Sequence, residues 1–436
     1  MASSRLSGPL IGGLLALGDD SLVALNRHSG YEEPSMTATL PFDPRDLERC
    51  LTPPGRTLPP AAYTSDEVLA WEAERFLEGS WACLGRSADV AGPGDQRAVR
   101  VGDEAVLLVR DKGGGLRGFF NTCRHRGHEL LPCGGPVVNR KAIRCPYHSW
   151  TYALDGRFKT APSFVDRPDW TRADPDNGLL PARVEEWGGW AFVNPSGDAP
   201  PLAEHLGNLA ETLAPYEPER LEPAAIHEYE IAANWKLIAE NYHECYHCTN
   251  IHPELCRVTP PESGHAFEPT GLVIGGTMEL MDHAETMSLT GESGGVPLRR
   301  LDQEGRRTVL YIQVLPNLLV SAHPDYVMTH RLEPVTPGRT RVQCQWLFPP
   351  EATSREGFDP AYAVEFWDIT NRQDWAACEG VQRGAAGRGY RQGPLSDAEG
   401  NVWQFIALVA RGYLEGRLTG AVPTLPAEAR GTPAAS

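Results

Sequence analysis

Residues 121–152 read NTCRHRGHELLPCGGPVVNRKAIRCPYHSWTY. Within them Cys123 and His125 stand two apart and Cys145 and His148 three apart, with nineteen residues between the pairs. Four soft or borderline ligands thus arrive on two loops. A Cys2His2 zinc site is the plain reading, but zinc sites usually pair Cys with Cys and His with His. Here each loop brings one of each. That suits a [2Fe-2S] cluster in which two Cys hold one iron and two His hold the other. Gly127 and Pro146 supply tight turns beside the sulfurs.

Outward from this stretch, 436 residues allow two or three domains at ~150 residues each. With 41% apolar residues, the chain can bury real cores. Lys and Arg number 40 against 57 Asp and Glu, a net charge of -17, with no long basic run. Nucleic acid and anionic membrane are therefore poor partners. Of ten cysteines two belong to the motif, and the others are scattered, which is no disulfide framework and fits a reducing cytoplasm. No stretch reaches the ~20 apolar residues of a membrane span. PLIGGLLALG at 9–18 runs into Asp19 and Asp20 without a cleavage site, so it is not read as a signal peptide. Met36 reads as the natural start, because MTATLPFDPRDLERCL resembles an enzyme N-terminus and 1–35 does not.

Four segments follow: 1–62 as an extension and surface arm, 63–200 as a helix plus an all-β cluster domain, 201–420 as a second metal domain, and 421–436 as a disordered tail. One amphipathic helix is expected over Tyr63–Gly79, capped by Ser65 or Asp66. Short strands are expected at Trp81–Gly85, Arg97–Val101, Ala105–Arg110 and Leu116–Asn121, with Trp187–Asn194 closing the β unit. Beyond it, the pattern predicts a helix over Leu202–Tyr216, a strand over Glu228–Ala233 and a helix from Trp235 to about Asn250. Thr286–Gly295 reads as mobile. Strands at Arg307–Val314, Leu318–Ala322, Val327–Pro334 and Thr340–Phe348 then precede a long helix over Tyr362 to about Gln382.

Residues 234–255, NWKLIAENYHECYHCTNIHPEL, hold the second constellation. His247 and His252 are five apart, and Glu244 lies three before His247. If the helix persists, Glu244 and His247 share a face. His252 returns to the same point only if the chain loosens after Cys248. Two imidazoles with one carboxylate would make the facial triad of a non-haem Fe(II) oxygenase. Asp374 on the long helix is the preferred third ligand, with Asp368 as its rival. His243 is a decoy. Glu379 and Gln382 are supporting groups or surface.

With both motifs in this order, the chain resembles the α subunit of the Rieske non-haem iron oxygenases, the ring-hydroxylating family, over roughly residues 60–415. The resemblance implies an α+β chain: an all-β Rieske [2Fe-2S] domain, then a helix-grip catalytic domain of antiparallel sheet plus long helix. The family's cluster ligands fall on Cys123, His125, Cys145 and His148, and its iron ligands on His247, His252 and Asp374. Glu244 matches the acidic residue that bridges the two centres between neighbouring subunits of a head-to-tail homotrimer, bonding His148 of one subunit and His247 of the next. Electrons would come from a separate NAD(P)H-dependent flavin or iron-sulfur reductase, since no GxGxxG follows a strand here.

ENYHECYHC and FWDITNRQDWAACEGVQ are similar to the branch acting on quaternary ammonium compounds such as glycine betaine, choline and carnitine. N-methyl hydroxylation there expels formaldehyde, and a cationic substrate wants an aromatic cage. Tyr242, Tyr246, Phe366, Trp367 and Trp375 are the candidates. Hydroxylation or dihydroxylation of an aromatic substrate is the alternative. A pure Rieske electron carrier leaves the second motif and about 240 residues unexplained, and a zinc-stapled binding module would be colourless.

Overall fold

The computed structural model describes residues 40–166, 169–268, 270–418, 420 and 422–425. The expectations for residues 1–35 and for 426–436 lie outside them.

The chain from Leu40 opens with helix α1 (Pro44–Leu51), started by Asp43, whose side chain accepts from Arg45 N, and by Pro44 at the first helical position. Residues 37–62 were expected to wrap the surface, but Leu47, Cys50 and Leu58 are buried. They pack on a C-terminal helix that the sequence reading did not anticipate. The helix expected over 63–79 is broken. It runs as α2 (Ala61–Thr64), α3 (Asp66–Glu72) and a π-helical stretch at Ala73–Glu78, because the Ser65 side chain accepts from Val68 N and restarts the helix there.

Among the described residues nine strands follow: β1 (Ala82–Arg86), β2 (Gln96–Val101), β3 (Glu104–Arg110), β4 (Leu116–Phe120), β5 (Ile143–Arg144), β6 (Thr151–Tyr152), β7 (Phe158–Thr160), β8 (Pro181–Trp187) and β9 (Trp190–Asn194). Six make one sheet in the order β1-β9-β8-β4-β3-β2, and β5-β6-β7 make a small second one. Trp187–Asn194, expected as one closing strand, is the turn and second arm of a hairpin. Gly188 and Gly189 both have positive φ, the two-residue turn that matches strand twist, and Trp187 pairs with Trp190.

The helix expected over 202–216 is split at Gly207 (φ 53°) into α4 (Leu202–Leu206) and α5 (Leu209–Leu213). Then come β10 (Glu222–Ile231), α6 (Trp235–Tyr242), α7 (Cys248–Ile251), β11 (His265–Ala266), β12 (Val273–Glu279), β13 (Thr308–Val314), β14 (Leu318–Ala322), β15 (Val327–Thr336) and β16 (Arg339–Phe348). A single turn α8 (Pro350–Thr353) precedes the long α9 (Ala361–Ala385) and α10 (Gly400–Glu415). The strands form one antiparallel sheet, β10-β16-β15-β14-β13-β12-β11. Strand β10 starts six residues earlier than expected; as an edge strand it exposes alternate side chains and lacks a continuous apolar signal.

Both faces of this sheet are covered, which explains apolar runs such as LLVSA in β14. Leu319 faces the cluster built from α6, α9 and α10, while Leu318, Val320 and Ala322 face the other way, onto Trp81 and onto Cys83, Trp190 and Phe192 of the first sheet. Behind α6 lies a fully buried ion pair, with Lys236 Nζ 2.7 Å and 2.9 Å from the two Glu72 oxygens. Trp235 and Tyr413 donate to the same carboxylate.

Two further expectations fail. Thr286–Gly295 is pinned: Thr286, Ser293 and Tyr362 all donate to the buried Asp325 at 2.5, 2.5 and 2.6 Å. Residues 422–425, assigned to a disordered tail, bury Val422 and Leu425, and Gln404 donates to Pro423 O at 2.8 Å.

Candidate active site

The first motif forms two similar loops. Gly127 N donates to Cys123 O and Ser149 N to Cys145 O, and Gly127 and Ser149 both take positive φ to turn the chain. Cys123 and Cys145 are buried, unpaired thiols. His125 and His148 are half-buried, with ring centroids 4.8 Å apart, and His125 stacks on Trp150 at 5.0 Å. Sulfurs inside and imidazoles at the rim suit a two-iron cluster whose histidine-held iron faces outward to pass electrons. Tyr152, which the sequence reading passed over, places its hydroxyl 3.2 Å from Cys123 Sγ and accepts from Arg124 N. Burial raises the Cys123 thiol, and this hydroxyl pulls the other way.

The second motif departs from the expected continuous helix. Asn234 caps α6 by accepting from Lys236 N at 3.0 Å, and the helix ends at Tyr242, where the His243 ring turns inward to Gln313 Oε1 at 2.7 Å. Residues 243–247 form an open turn before α7. Glu244 bridges it by accepting from His247 N at 3.1 Å and bonding His247 Nδ1. The contact between Glu244 and His247 is therefore made by a turn instead of a helix face. Cys245 and Cys248 form a disulfide across the same turn, a local bridge where the sequence suggested only scattered thiols.

His252 ends α7, and its ring centroid lies 5.1 Å from that of His247. Asp374 Oδ1 lies 2.9 Å from His252 Nε2 and 3.4 Å from His247 Nε2. Donors ~2.1 Å from one octahedral ion at right angles sit ~3.0 Å apart, so the three atoms fit one metal. Its rival Asp368 points elsewhere, accepting from Tyr229 at 2.7 Å and Arg372 at 2.8 Å. Electrostatics agree. Burial disfavours a charged imidazole, yet Asp374 and Glu244 outweigh it and lift His247 to about 9. Burial pushes Asp374 upward, but the two histidines hold it below its ordinary value. The site is built to hold positive charge.

Gln373, missed in the sequence, accepts from His252 Nδ1 at 2.7 Å and donates to Glu254 at 3.1 Å. Glu379 accepts from Ala232 N, and Gln382 accepts from Asn234 N while donating to Tyr63 O. Both lock α9 to the start of α6, which sets Asp374 against the histidines.

A cavity of about 810 Å³ opens on the triad. Tyr242, Tyr246, Trp367 and Trp375 line it as expected, whereas Phe366 is wholly buried in the core and does not. Tyr311 and His330 complete the wall. They come from β13 and β15, more than 55 residues from the motif, and carry no local signal. Tyr242 and Tyr311 lie 6.0 Å apart and Tyr311 and Trp367 6.4 Å apart, centroid to centroid. Among the described residues no helix is long and apolar enough to cross a membrane.

Two family models match the chain, a Rieske [2Fe-2S] domain over residues 80–171 and the catalytic domain of ring-hydroxylating alpha subunits over 218–415. The chain is 30% identical over 368 residues to the glycine betaine monooxygenase oxygenase subunit of Chromohalobacter salexigens, covering 78% of this chain and 82% of the relative. It is 38% identical over 199 residues to the carnitine monooxygenase oxygenase subunit of Acinetobacter baumannii, covering 45% and 53% respectively. The solved structure of the quaternary ammonium Rieske monooxygenase CntA superposes with a TM-score of 0.72 at 26% identity, over 85% of this chain and 98% of that one. The chain therefore belongs to the Rieske non-haem iron oxygenases, enzymes that join a Rieske [2Fe-2S] cluster to a mononuclear iron, and is an oxygenase subunit of that family.

Proposed function

We propose that this oxygenase hydroxylates an N-methyl group of a quaternary ammonium compound, releasing formaldehyde and the tertiary amine. Cys123, His125, Cys145 and His148 hold the cluster, and His247, His252 and Asp374 hold the iron. When bound, the iron supplies O2 activation, using electrons delivered singly through the cluster from a separate reductase. The chain's own residues do the rest. Glu244 and Gln373 each take a proton-bearing Nδ1, so that both imidazoles present Nε2 inward. Tyr242, Tyr311 and Trp367 offer aromatic faces to a cationic head. The convergence of two Nε2 atoms and Asp374 on one point of the cavity those rings line carries the reading.

By family resemblance the working unit is a homotrimer in the cytoplasm, the reductase uses NAD(P)H, and Glu244 joins one subunit's cluster to its neighbour's iron. The folded units are a Rieske part ending near residue 200 and a catalytic part from 201 to 420. Electron paramagnetic resonance and iron analysis on the dithionite-reduced protein test the metal assignments. The expected result is a Rieske signal with about three irons per chain, falling to about two in His247→Ala with the signal intact. Formaldehyde release with quaternary ammonium compounds and none with arenes is expected. Arene turnover in its place would overturn the substrate class.

A further inference from the structure

Trp375 stands between two openings. Next to Asp374 in the chain, it lines the cavity of about 810 Å³ that opens on the triad. It also lines a second cleft, of about 740 Å³, formed by β10 and α9. Tyr229 of β10 lines that second cleft too, and its ring centroid lies 5.9 Å from that of Trp375. Towards the triad, Trp375 meets the cavity residue His330 at 6.0 Å. A run of aromatic rings therefore leads from the metal cavity to a half-buried tyrosine in an outer cleft.

Hydrogen bonding along this run differs from ring to ring. Trp375 Nε1 is buried and has no partner among the described residues. An indole oxidised there has no base to take its proton, so it passes the electron deficit on intact. The Tyr229 hydroxyl, by contrast, donates to Asp368 at 2.7 Å. Burial pushes the Asp368 carboxyl upward, but Arg372 and that hydroxyl hold it below its ordinary value, so it stands ionised. A phenol gives up an electron readily only when its proton leaves as well. The Arg372 guanidinium, 5.9 Å from the Tyr229 ring centroid, disfavours a cationic ring further. Tyr242 and Tyr311 in the cavity wall lack such a base. Tyr242 donates to Val320 O at 2.9 Å, and the Tyr311 hydroxyl is unbonded.

We propose that Trp375 and Tyr229 form an electron path that drains oxidising equivalents from the iron when O2 has been activated and no substrate reacts. Trp375 gives one electron to the oxidised iron centre, and Tyr229 gives one to Trp375. The phenolic proton moves to Asp368, leaving a neutral tyrosyl radical. A low-molecular-weight thiol in the outer cleft then donates a hydrogen atom to the tyrosyl and departs as a thiyl radical, and Asp368 releases its proton to water. The net transfer is one electron from the thiol to the iron, and the cavity's own histidines and aromatic rings are spared oxidation. The path rests on the iron placement proposed above and is independent of the substrate.

Hydrogen peroxide stands at the redox level of O2 plus two electrons and two protons, so it can supply the oxidant directly. The test adds it, without substrate, to protein loaded with cluster and iron, and reads freeze-quenched paramagnetic resonance and peptide mass spectrometry. A tyrosyl signal is expected in the wild type, quenched by added thiol. It should be lost in Tyr229→Phe, which keeps the ring packing, and in Trp375→Phe. Asp368→Asn, which leaves an oxygen for the hydroxyl but no base, should weaken it. Oxidation of His247, His252 and the cavity aromatics should rise in all three variants. The initial turnover rate of Tyr229→Phe should match wild type, with fewer turnovers before inactivation. A signal of wild-type size in Tyr229→Phe, or none in wild type holding its full iron, overturns the path and leaves the iron placement standing. A signal that survives in His247→Ala, with the mononuclear iron gone, traces the oxidant elsewhere and also overturns the path. Wild-type protein that holds only the two cluster irons removes the iron placement and the path with it.

Discussion

Replacing Gln373 with Leu isolates one hydrogen bond on which the metal site depends. The Gln373 amide is fixed at one end by donating to Glu254 at 3.1 Å, so its oxygen faces His252 Nδ1 at 2.7 Å. An amide oxygen only accepts, which places the imidazole proton on Nδ1 and the lone pair on Nε2, 2.9 Å from Asp374. In Gln373→Leu a wholly buried ring loses the partner that sets its tautomer. An unsatisfied buried donor costs about 1–3 kcal/mol, and loss of such an outer partner typically costs about 10–100-fold in metal affinity, or roughly 1.4–2.7 kcal/mol. The two estimates agree. The assay is anaerobic competition for Fe(II) against a chromophoric chelator, on protein whose cluster is intact. Gln373→Glu should recover only part of the affinity, because its carboxylate meets that of Glu254. The double variant Gln373→Glu/Glu254→Gln restores a donor–acceptor pair and should recover more. Fe(II) affinity in Gln373→Leu within twofold of wild type would refute the argument.

Three other outcomes are expected. Glu244→Gln keeps an oxygen for His247 but removes the charge, so metal content should persist while turnover falls by about tenfold or more; full activity would remove Glu244 from electron delivery. Tyr152→Phe deletes the hydroxyl that stabilises charge on Cys123 Sγ, and the cluster midpoint potential should drop by roughly 40 mV, equivalent to about 1 kcal/mol, as read by redox titration. Burial lifts the Glu240 carboxyl from its ordinary 4.5 to about 8, with Tyr63 and Lys236 opposing. A raised carboxyl stabilises the fold fully below pH 4.5 and loses that contribution as pH climbs towards 8, by up to about 1.4 kcal/mol per pH unit. Glu240→Gln, which still accepts from Tyr63, should therefore gain on wild type between pH 5 and 8 in urea midpoints, and a constant difference across that range would contradict the shift.

The candidate metal donors were easy to pick out because they sit in short motifs. Two loops carry the four proposed cluster residues, and His247 and His252 fall in one turn-rich segment, with Asp374 on a recognisable long helix. The central strands were legible too, since β13 to β16 alternate between two covered faces. Other parts depended on contacts distant in sequence. Helix α1 looked like a polar arm until α10 was there to cover it. The end of α6 at Tyr242 is set by His243 reaching Gln313 on β13, which no local propensity encodes. Tyr311, His330 and Asn401 reach the cavity from separate elements, and Gln373 was overlooked beside the more conspicuous Asp374.

The disulfide across residues 245–248 also changes which donors surround the two imidazoles. Cys248 Sγ lies within 4.8 Å of the ligand nitrogens of His247 and His252. As a thiolate it would offer those imidazoles a soft third donor, the kind that favours zinc or copper over iron. Joined to Cys245 it offers none, and the hard oxygen of Asp374 has no competitor. The oxidation state of two sulfurs thereby sets whether a thiolate stands beside the two imidazoles, at a position one residue away from His247.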